Sequence, residues 1–154
     1  MGLDMYLEAD FSLYDGYKDS KLDAIRTAVK QSFNGLIEQE NSFIGGKVTV
    51  PLAYWRKANQ IHRWFVQTVQ DNIDECQRAY VSKEQLMRLR TKCRAALDNR
   101  KNAEKLLPTQ PGFFFGGTEY DDWYFKQLEY TIGALDRILE KLPKSAEIYY
   151  HSSW

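Results

Sequence analysis

The sequence contains few of the residues that cross-link small proteins or bind metals. Its 154 residues include two cysteines and two histidines, with no CxxC motif and no His/Cys cluster. Disulfide frameworks and zinc sites depend on such clusters, so the sequence predicts reduced thiols, no metal site and no cofactor. A chain of this length buries roughly 70% of its unfolded surface on folding and can hold a core without cross-links.

Long hydrophobic runs are also missing. No apolar stretch approaches the roughly 18 residues that a membrane-spanning helix needs. The first ten residues, MGLDMYLEAD, have neither the positive region nor the apolar region of a signal peptide. The sequence therefore predicts a cytoplasmic protein that does not enter a membrane.

The chain as a whole has no net charge, but its individual segments do. Lysine and arginine number 21, as do aspartate and glutamate. Residues 1–46 hold four basic and eight acidic residues, 47–105 hold thirteen and six, and 106–154 hold four and seven. Either the acidic ends fold onto the basic middle, or the middle presents a positive face to an anionic partner.

Aromatic residues, in contrast, are abundant. Ten tyrosines, eight phenylalanines and four tryptophans make up 14% of the chain, which is more than a core of this size needs. We therefore expect some aromatic rings at the surface, where they favour protein partners or flat ligands.

Three segments have the pattern of β-strands. Near the N-terminus, Leu3, Met5 and Leu7 alternate with polar residues. The segment KVTV before Pro51 predicts a short or edge strand that ends at the proline, and the C-terminal EIYYHSSW has high β-propensity. A sheet this small requires the terminal strands to be neighbours, which would bring Asp4 and Tyr6 close to Tyr149 or His151.

Four segments have helical patterns. The first ends at Asn34-Gly35, and the second spans roughly 53–70. The third begins with the capping box of Ser82 and Gln85, and the fourth is capped by Thr118 with Asp121. The order of elements predicts an α+β fold, with a small sheet and about four helices in one domain spanning 1–154.

The segment YWRKANQIHRWFVQ, residues 54–67, is the most informative part of the second helix. A helical wheel places Tyr54, Trp55 and His62 inside the apolar arc and Gln60 outside it. His62 is then either a core histidine hydrogen-bonded to Asn59 or a strand carboxylate, or a proton shuttle at the floor of a cleft. Trp64 points away from that arc, so it either docks on a second layer or forms an exposed stacking platform.

Four blocks of sequence together resemble a family of small proteins from bacteriophages and prophage-bearing bacteria: MGLDMYL, YWRKANQIHRWFV, LLPTQPGFFFGGTEYDDWYF and YYHSSW. The chain departs from the family pattern at Gly116-Gly117, where Gly-Ser is usual, and at His151, where Gln is usual. Residues 11–46 depart most. The resemblance implies a phage-type accessory protein and no particular reaction.

If these blocks converge in the fold, they form one candidate binding surface. Its residues would be Asp4, Tyr6, Trp55, Arg56, Lys57, Asn59, His62, Trp64, Phe115, Tyr120, Asp121 and Trp123. In an enzyme, general acid–base chemistry would fall to His62 with Asp4 or Asp121. No nucleophile elbow, Walker loop or dinucleotide motif is present, so the sequence favours a protein without chemistry of its own.

The sequence therefore predicts a binding protein of phage type that occupies a host or phage protein, and the resemblance extends this to a possible counter-defence role. The alternative is a binder of a nucleotide-like or other anionic small molecule, or a weak acid–base enzyme, centred on Trp55, Asn59 and His62. Nucleic-acid binding is disfavoured because the arginines of the third helix are spread around its exposed sides. The oligomeric state is not determined by these patterns.

Overall fold

A four-stranded antiparallel sheet forms one layer of the computed structural model, which describes residues 2–14, 20–33 and 45–154. The strands are β1 (Asp4–Ser12), β2 (Lys47–Arg56), β3 (Ala79–Val81) and β4 (Glu147–Ser153). Their order in the sheet is β2-β1-β4-β3. β1 is therefore an interior strand, and the odd-numbered residues Leu3, Met5 and Leu7 are buried, as the alternation predicted.

Helices form the second layer. They are α2 (Asn59–Val69), α3 (Lys83–Asp98), the single turn α4 (Ala103–Leu106) and α5 (Asp122–Lys141), with a 3-10 turn at Arg100–Asn102 before α4. A further helix, α1 (Ser20–Ser32), precedes them in the chain, and none of its described residues belongs to the core cluster. The α+β prediction is confirmed. The predicted helix end at Asn34-Gly35 lies outside the described residues.

The terminal strands are neighbours, as predicted. β1 and β4 pair antiparallel, with Tyr6 opposite His151 and Glu8 opposite Tyr149. The rings of Tyr6 and His151 stack with their centroids 4.8 Å apart. These side chains lie on the outer face of the sheet, because the buried residues of both strands point to the opposite face.

The core lies between the inner face of the sheet and the helices. Phe65 of α2 stacks on Tyr150 of β4 with ring centroids 4.0 Å apart, and neither side chain is exposed. Leu86 and Leu89 of α3 and Leu128 and Leu135 of α5 are also fully buried. Burying a large apolar side chain contributes roughly 1.5–3 kcal/mol, so these contacts bind the two layers together.

The predicted N-terminal cap of the third helix is confirmed, and the predicted cap of the fourth helix is wrong. Ser82 and Gln85 form the capping box of α3, each side chain bonding the backbone N–H of the other. α5 is capped by Asp121, whose carboxylate accepts from the Tyr124 N–H, and not by Thr118. An aspartate directly before the apolar stripe satisfies the free N–H groups of the first turn, so no earlier cap is needed.

The predicted boundary between the second strand and the second helix is wrong. β2 continues through Pro51 to Arg56, and α2 begins only at Asn59. The proline is tolerated because β2 is an edge strand and the register with β1 shifts there, between Leu7 and Glu8. Residues 53–56 therefore alternate between the two faces of the sheet.

The helical wheel consequently misplaced several residues. Tyr54 is 45% exposed and Gln60 is buried, the reverse of the prediction. Trp64 is buried and packs edge-on against Phe65, so the exposed platform is excluded and the docked alternative is correct.

The acidic ends of the chain pair with its basic middle. Arg78 donates to both oxygens of Asp10, and Lys47 and Thr49 donate to the same carboxylate. Arg90 and Arg94 of α3 both contact Asp136 of α5. These contacts support the intramolecular interpretation of the charge asymmetry. In the described part of the chain, no helix combines the length and the apolar character required to cross a membrane.

Candidate functional site: an aromatic groove beside a polar cavity

An open groove of about 340 Å³ runs between the edge strand β2 and the helix α5. We call it the aromatic groove, and it is lined by Tyr54, Trp55, Arg56, Trp123, Lys126, Gln127 and Tyr130. Four of these seven side chains are aromatic. Trp123 is 62% exposed, so its ring is available to a ligand, and this concave aromatic surface is a candidate for binding.

The groove is built by two local regularities. On α5, Trp123, Lys126 and Tyr130 follow each other at intervals of three and four residues, which places them on one side of the helix. On β2, Trp55 points inward, where its Nε1 donates to Thr131 Oγ1 at 2.9 Å. The rings of Trp55 and Tyr130 also meet edge-on, with their centroids 6.3 Å apart. These two contacts hold the Trp55 ring, which forms the floor of the groove, in one orientation.

Side chains of α5 cover the free edge of β2. Gln127 Nε2 donates to the Arg56 carbonyl at 3.3 Å, and Arg137 donates to the Leu52 carbonyl at 3.2 Å. The Tyr54 N–H donates to the Tyr130 hydroxyl at 3.4 Å. An added strand would compete with these bonds, so the groove is suited to receiving side chains or a flat ligand and not an extra strand.

Both charged side chains that line the groove are cationic. The Arg56 guanidinium lies 3.9 Å from Asp4 and more than half of its side chain is exposed. Asp4 itself accepts a hydrogen bond from the Tyr54 hydroxyl, and this bond raises the pKa of Tyr54. Exposed cations beside aromatic rings favour anionic or acidic ligands.

A smaller polar cavity of about 170 Å³ adjoins the groove and shares Trp123 and Gln127 with it. Its other lining residues are Lys57, Asn59, Gln60, Thr109, Gly116, Gly117, Glu119, Asp121 and Tyr124. It lies where the chain enters α2 and α5. Lys57 has a φ of 56°, a left-handed conformation that turns the chain sharply from β2 into α2.

Asn59 holds the phenylalanine-rich loop against this cavity. Its Nδ2 donates to the carbonyls of Phe115 and Gly117, at 3.1 and 2.8 Å, and its Oδ1 accepts from the Gln110 N–H at 3.1 Å. Asn59 is buried, and three donated or accepted bonds satisfy most of its amide. A structural role, holding the backbone of this loop in place, therefore accounts for the burial of Asn59.

His62 is fully buried between two partners that the sequence did not reveal. Nδ1 lies 2.7 Å from the Tyr150 hydroxyl, and Nε2 lies 2.9 Å from Asp74 Oδ2. A carboxylate only accepts, so in the neutral ring Nε2–H donates to Asp74 and the Tyr150 hydroxyl donates to Nδ1. Burial lowers the pKa of His62, while Asp74 opposes this effect. The predicted Asn59 partner is wrong.

This geometry removes the acid–base pairings that the sequence suggested. Asp4 lies on the outer face of the sheet, and Asp121 caps α5, so neither contacts the imidazole. The ring of Phe115 packs edge-on over the imidazole of His62, with the ring centroids 5.1 Å apart, and both rings are buried. The imidazole has no surface on which a substrate could rest.

The predicted site residues do not all come together. Trp55, Arg56 and Trp123 line the aromatic groove, while Lys57, Asn59 and Asp121 line the polar cavity. The others lie elsewhere: Asp4 and Tyr6 on the outer face, His62, Trp64 and Phe115 in the core, and Tyr120 half-buried against Tyr124. The blocks of sequence therefore meet, but only part of them forms one surface.

Besides Tyr54 of β2, sequence reasoning missed Lys126, Gln127 and Tyr130 of α5 as lining residues of the groove. A signal was present, because all three lie three, four or seven residues after Trp123 and so follow it along α5. Asp74 had no comparable signal, since it lies in a loop without periodicity. Over the described ranges, no three His, Cys, Asp or Glu side chains are grouped to hold a metal ion.

The chain matches no family model, no curated protein and no solved structure. Its function is therefore inferred from the geometry of its own residues.

Proposed function

We propose that the chain is a non-enzymatic binding protein that holds a segment of a partner protein in the aromatic groove. The observation that carries the proposal is the groove itself, about 340 Å³ in volume, with exposed aromatic rings and two cationic side chains. Protein interfaces concentrate their binding energy in such rings and in arginine. A partner segment with an aromatic or aliphatic side chain between acidic residues fits this chemistry.

The proposal includes the biological setting that the sequence resemblance suggests. The chain would act as a phage-type accessory protein in the cytoplasm of a bacterial host, where it occupies a host or phage protein. Binding to a partner protein can block it without any chemical reaction. A host defence factor is one class of target that would be neutralised in this way. The buried position of His62 is consistent with a protein that performs no acid–base chemistry.

The experiment compares two exposed aromatic positions, one in the aromatic groove and one on the far edge strand β3. A photo-crosslinking phenylalanine analogue replaces Trp123 in the groove or Tyr80 on the outer face; these residues are 62% and 59% exposed. Each purified chain is irradiated in lysate from bacteria with and without phage infection. A discrete adduct at position 123 but not at position 80 supports the proposal, and the crosslinked protein is then purified for titration.

In that titration, Trp123→Ala and Arg56→Glu should each weaken binding at least about tenfold, which corresponds to the loss of one hot-spot contact. Tyr80→Ala should leave the affinity unchanged. The absence of any adduct at position 123, or equal loss of affinity in Tyr80→Ala, would contradict the proposal.

A second candidate is a nucleotide-like anionic molecule, because the aromatic groove and the polar cavity share Trp123 and Gln127. A flat ring could stack on Trp123 while Arg56 or Lys126 binds an anionic group. This candidate no longer includes His62, which is buried. A thermal-shift panel of nucleotides and cyclic dinucleotides tests it: stabilisation of the wild type that is lost in Trp123→Ala would favour the small ligand, and no shift would exclude it.

A further inference from the structure

The exposed side of α5 contains a glycine that the described part of the chain does not require. Gly133 lies in the interior of the 20-residue helix Asp122–Lys141, and a Cβ built on it meets no atom within 4 Å. Glycine in a helix interior costs up to about 1 kcal/mol relative to alanine. Glycine commonly occurs where another backbone approaches closely, so the position points to a contact outside this chain.

Charged residues surround this glycine in a narrow stripe. At 100° per residue, the stripe is about 80° wide with Gly133 at its centre. Its charged members are Asp122, Lys126, Glu129, Arg137 and Glu140, and all of them are exposed. The exposed rings of Trp123 and Tyr130 border the stripe on the side of β2.

The order of charges in the stripe is self-complementary. If a second α5 crosses antiparallel with the two copies of Gly133 in contact, Lys126 faces Glu140 of the other copy and Glu129 faces Arg137. Each pairing joins opposite charges, and a two-fold axis makes every pairing occur twice. A parallel arrangement would instead place each charge opposite its own copy.

Of the charges in these pairings, Arg137 donates to the Leu52 carbonyl at 3.2 Å, and the other three are available for contacts with a second copy. In the described residues, Lys126, Glu129 and Glu140 have no ion-pair partner within 4.0 Å. Exposed ion pairs contribute only about 0–1 kcal/mol each, so they set the direction and register of the helices. Close approach at the glycine and burial of the bordering rings would supply the remaining affinity.

We infer that α5 forms a two-fold antiparallel interface with a second copy of this chain, and that the helices cross at Gly133. The inference goes beyond the proposed function and does not depend on it, because it requires no partner protein. Lys126 and the bordering rings of Trp123 and Tyr130 belong to both surfaces, so dimerisation would also cover part of the aromatic groove.

Sedimentation of the full chain over about 1 µM to 1 mM tests the inference, since weak interfaces fall in this range of dissociation constants. The wild type should shift toward twice the 18.1 kDa mass of one chain as concentration rises. Lys126→Glu and Glu140→Lys each create two like-charge contacts and should raise the dissociation constant about tenfold or more. The double variant exchanges the charges and should restore the wild-type value.

Two further variants separate dimerisation from folding. Arg88→Glu makes the same charge change on the exposed side of α3 and should leave the dissociation constant unchanged. Gly133→Gln should weaken dimerisation while the thermal stability of the dilute protein is maintained or raised. A wild type that stays monomeric throughout, a double variant that is no tighter than the single ones, or an equal effect of Arg88→Glu would overturn the inference.

Discussion

The Nδ1 atom of His62 lies 2.7 Å from the hydroxyl oxygen of Tyr150, and neither side chain is exposed to solvent. The other ring nitrogen meets Asp74, which also accepts a bond from Trp154 Nε1 at 3.2 Å. These bonds connect the imidazole, which belongs to α2, with β4, with the loop after α2 and with Trp154. The network is therefore a structural element whose integrity depends on the protonation state of His62.

Acidification should destabilise the protein through His62. Burial lowers the pKa of His62 from its usual 6.5, so between 6.5 and the lower folded value the unfolded state binds a proton that the folded state does not. The stabilising effect of the neutral ring is complete above pH 6.5 and declines by up to about 1.4 kcal/mol per pH unit below it. Urea unfolding at pH 8, 6.5 and 5 measures this slope. His62→Asn should have a smaller slope, and an identical slope would contradict the assignment.

Tyr150→Phe should cost about 1–3 kcal/mol in the free energy of unfolding. The substitution keeps the ring that stacks on Phe65 but removes the hydroxyl, which leaves a buried nitrogen of His62 without its donor. Tyr149→Phe is the matched control, because its hydroxyl donates to the exposed Glu147, at 3.2 Å. Urea denaturation of both variants measures the difference, and equal costs would show that the buried bond contributes nothing.

Asn59→Ala should loosen the phenylalanine-rich loop. The buried amide makes three hydrogen bonds, to Phe115, Gly117 and Gln110, and its removal leaves those backbone groups without partners at a cost of about 2–3 kcal/mol. We expect faster proteolytic cleavage within residues 110–118 than in the wild type. Cleavage that is faster everywhere by the same factor would indicate global unfolding instead.

Asp10→Asn should destabilise the outer face of the sheet by about 2 kcal/mol at neutral pH. Hydrogen bonds from Arg78 hold the pKa of Asp10 far below its usual 3.8, with further help from Lys47 and Thr49. The wild type therefore has this stabilisation above pH 3.8 and loses it as pH falls below that value. Unfolding titrations that extend from pH 7 down to about pH 1.5 should show this loss in the wild type and a smaller one in Asp10→Asn.

Glu8→Gln is the control for that comparison. Glu8 lies 3.4 Å from Arg78 and is more exposed than Asp10, so its substitution should cost less than about 1 kcal/mol. A larger loss of unfolding free energy in Glu8→Gln than in Asp10→Asn would contradict the prediction that Asp10 contributes more to stability than Glu8.

The sequence by itself determined the features that repeat over short distances. The alternation of Leu3, Met5 and Leu7 predicted β1, and the Ser82–Gln85 box predicted the start of α3, because both depend on neighbours within four residues. The small sheet also required its terminal strands to pair, which correctly placed Tyr6 near His151. Local periodicity and the need to bury apolar surface were sufficient for these conclusions.

Only the tertiary structure decided where β2 ends and which distant groups meet. Residues 54–56 suit both a strand and a helix, and pairing with β1 selected the strand. Asp74 reaches His62 through a loop with no periodic signal, and the aromatic groove joins β2 to a helix more than 60 residues away in sequence. Such contacts depend on how complete elements pack against one another, and a pattern that reports only local backbone preference cannot specify them.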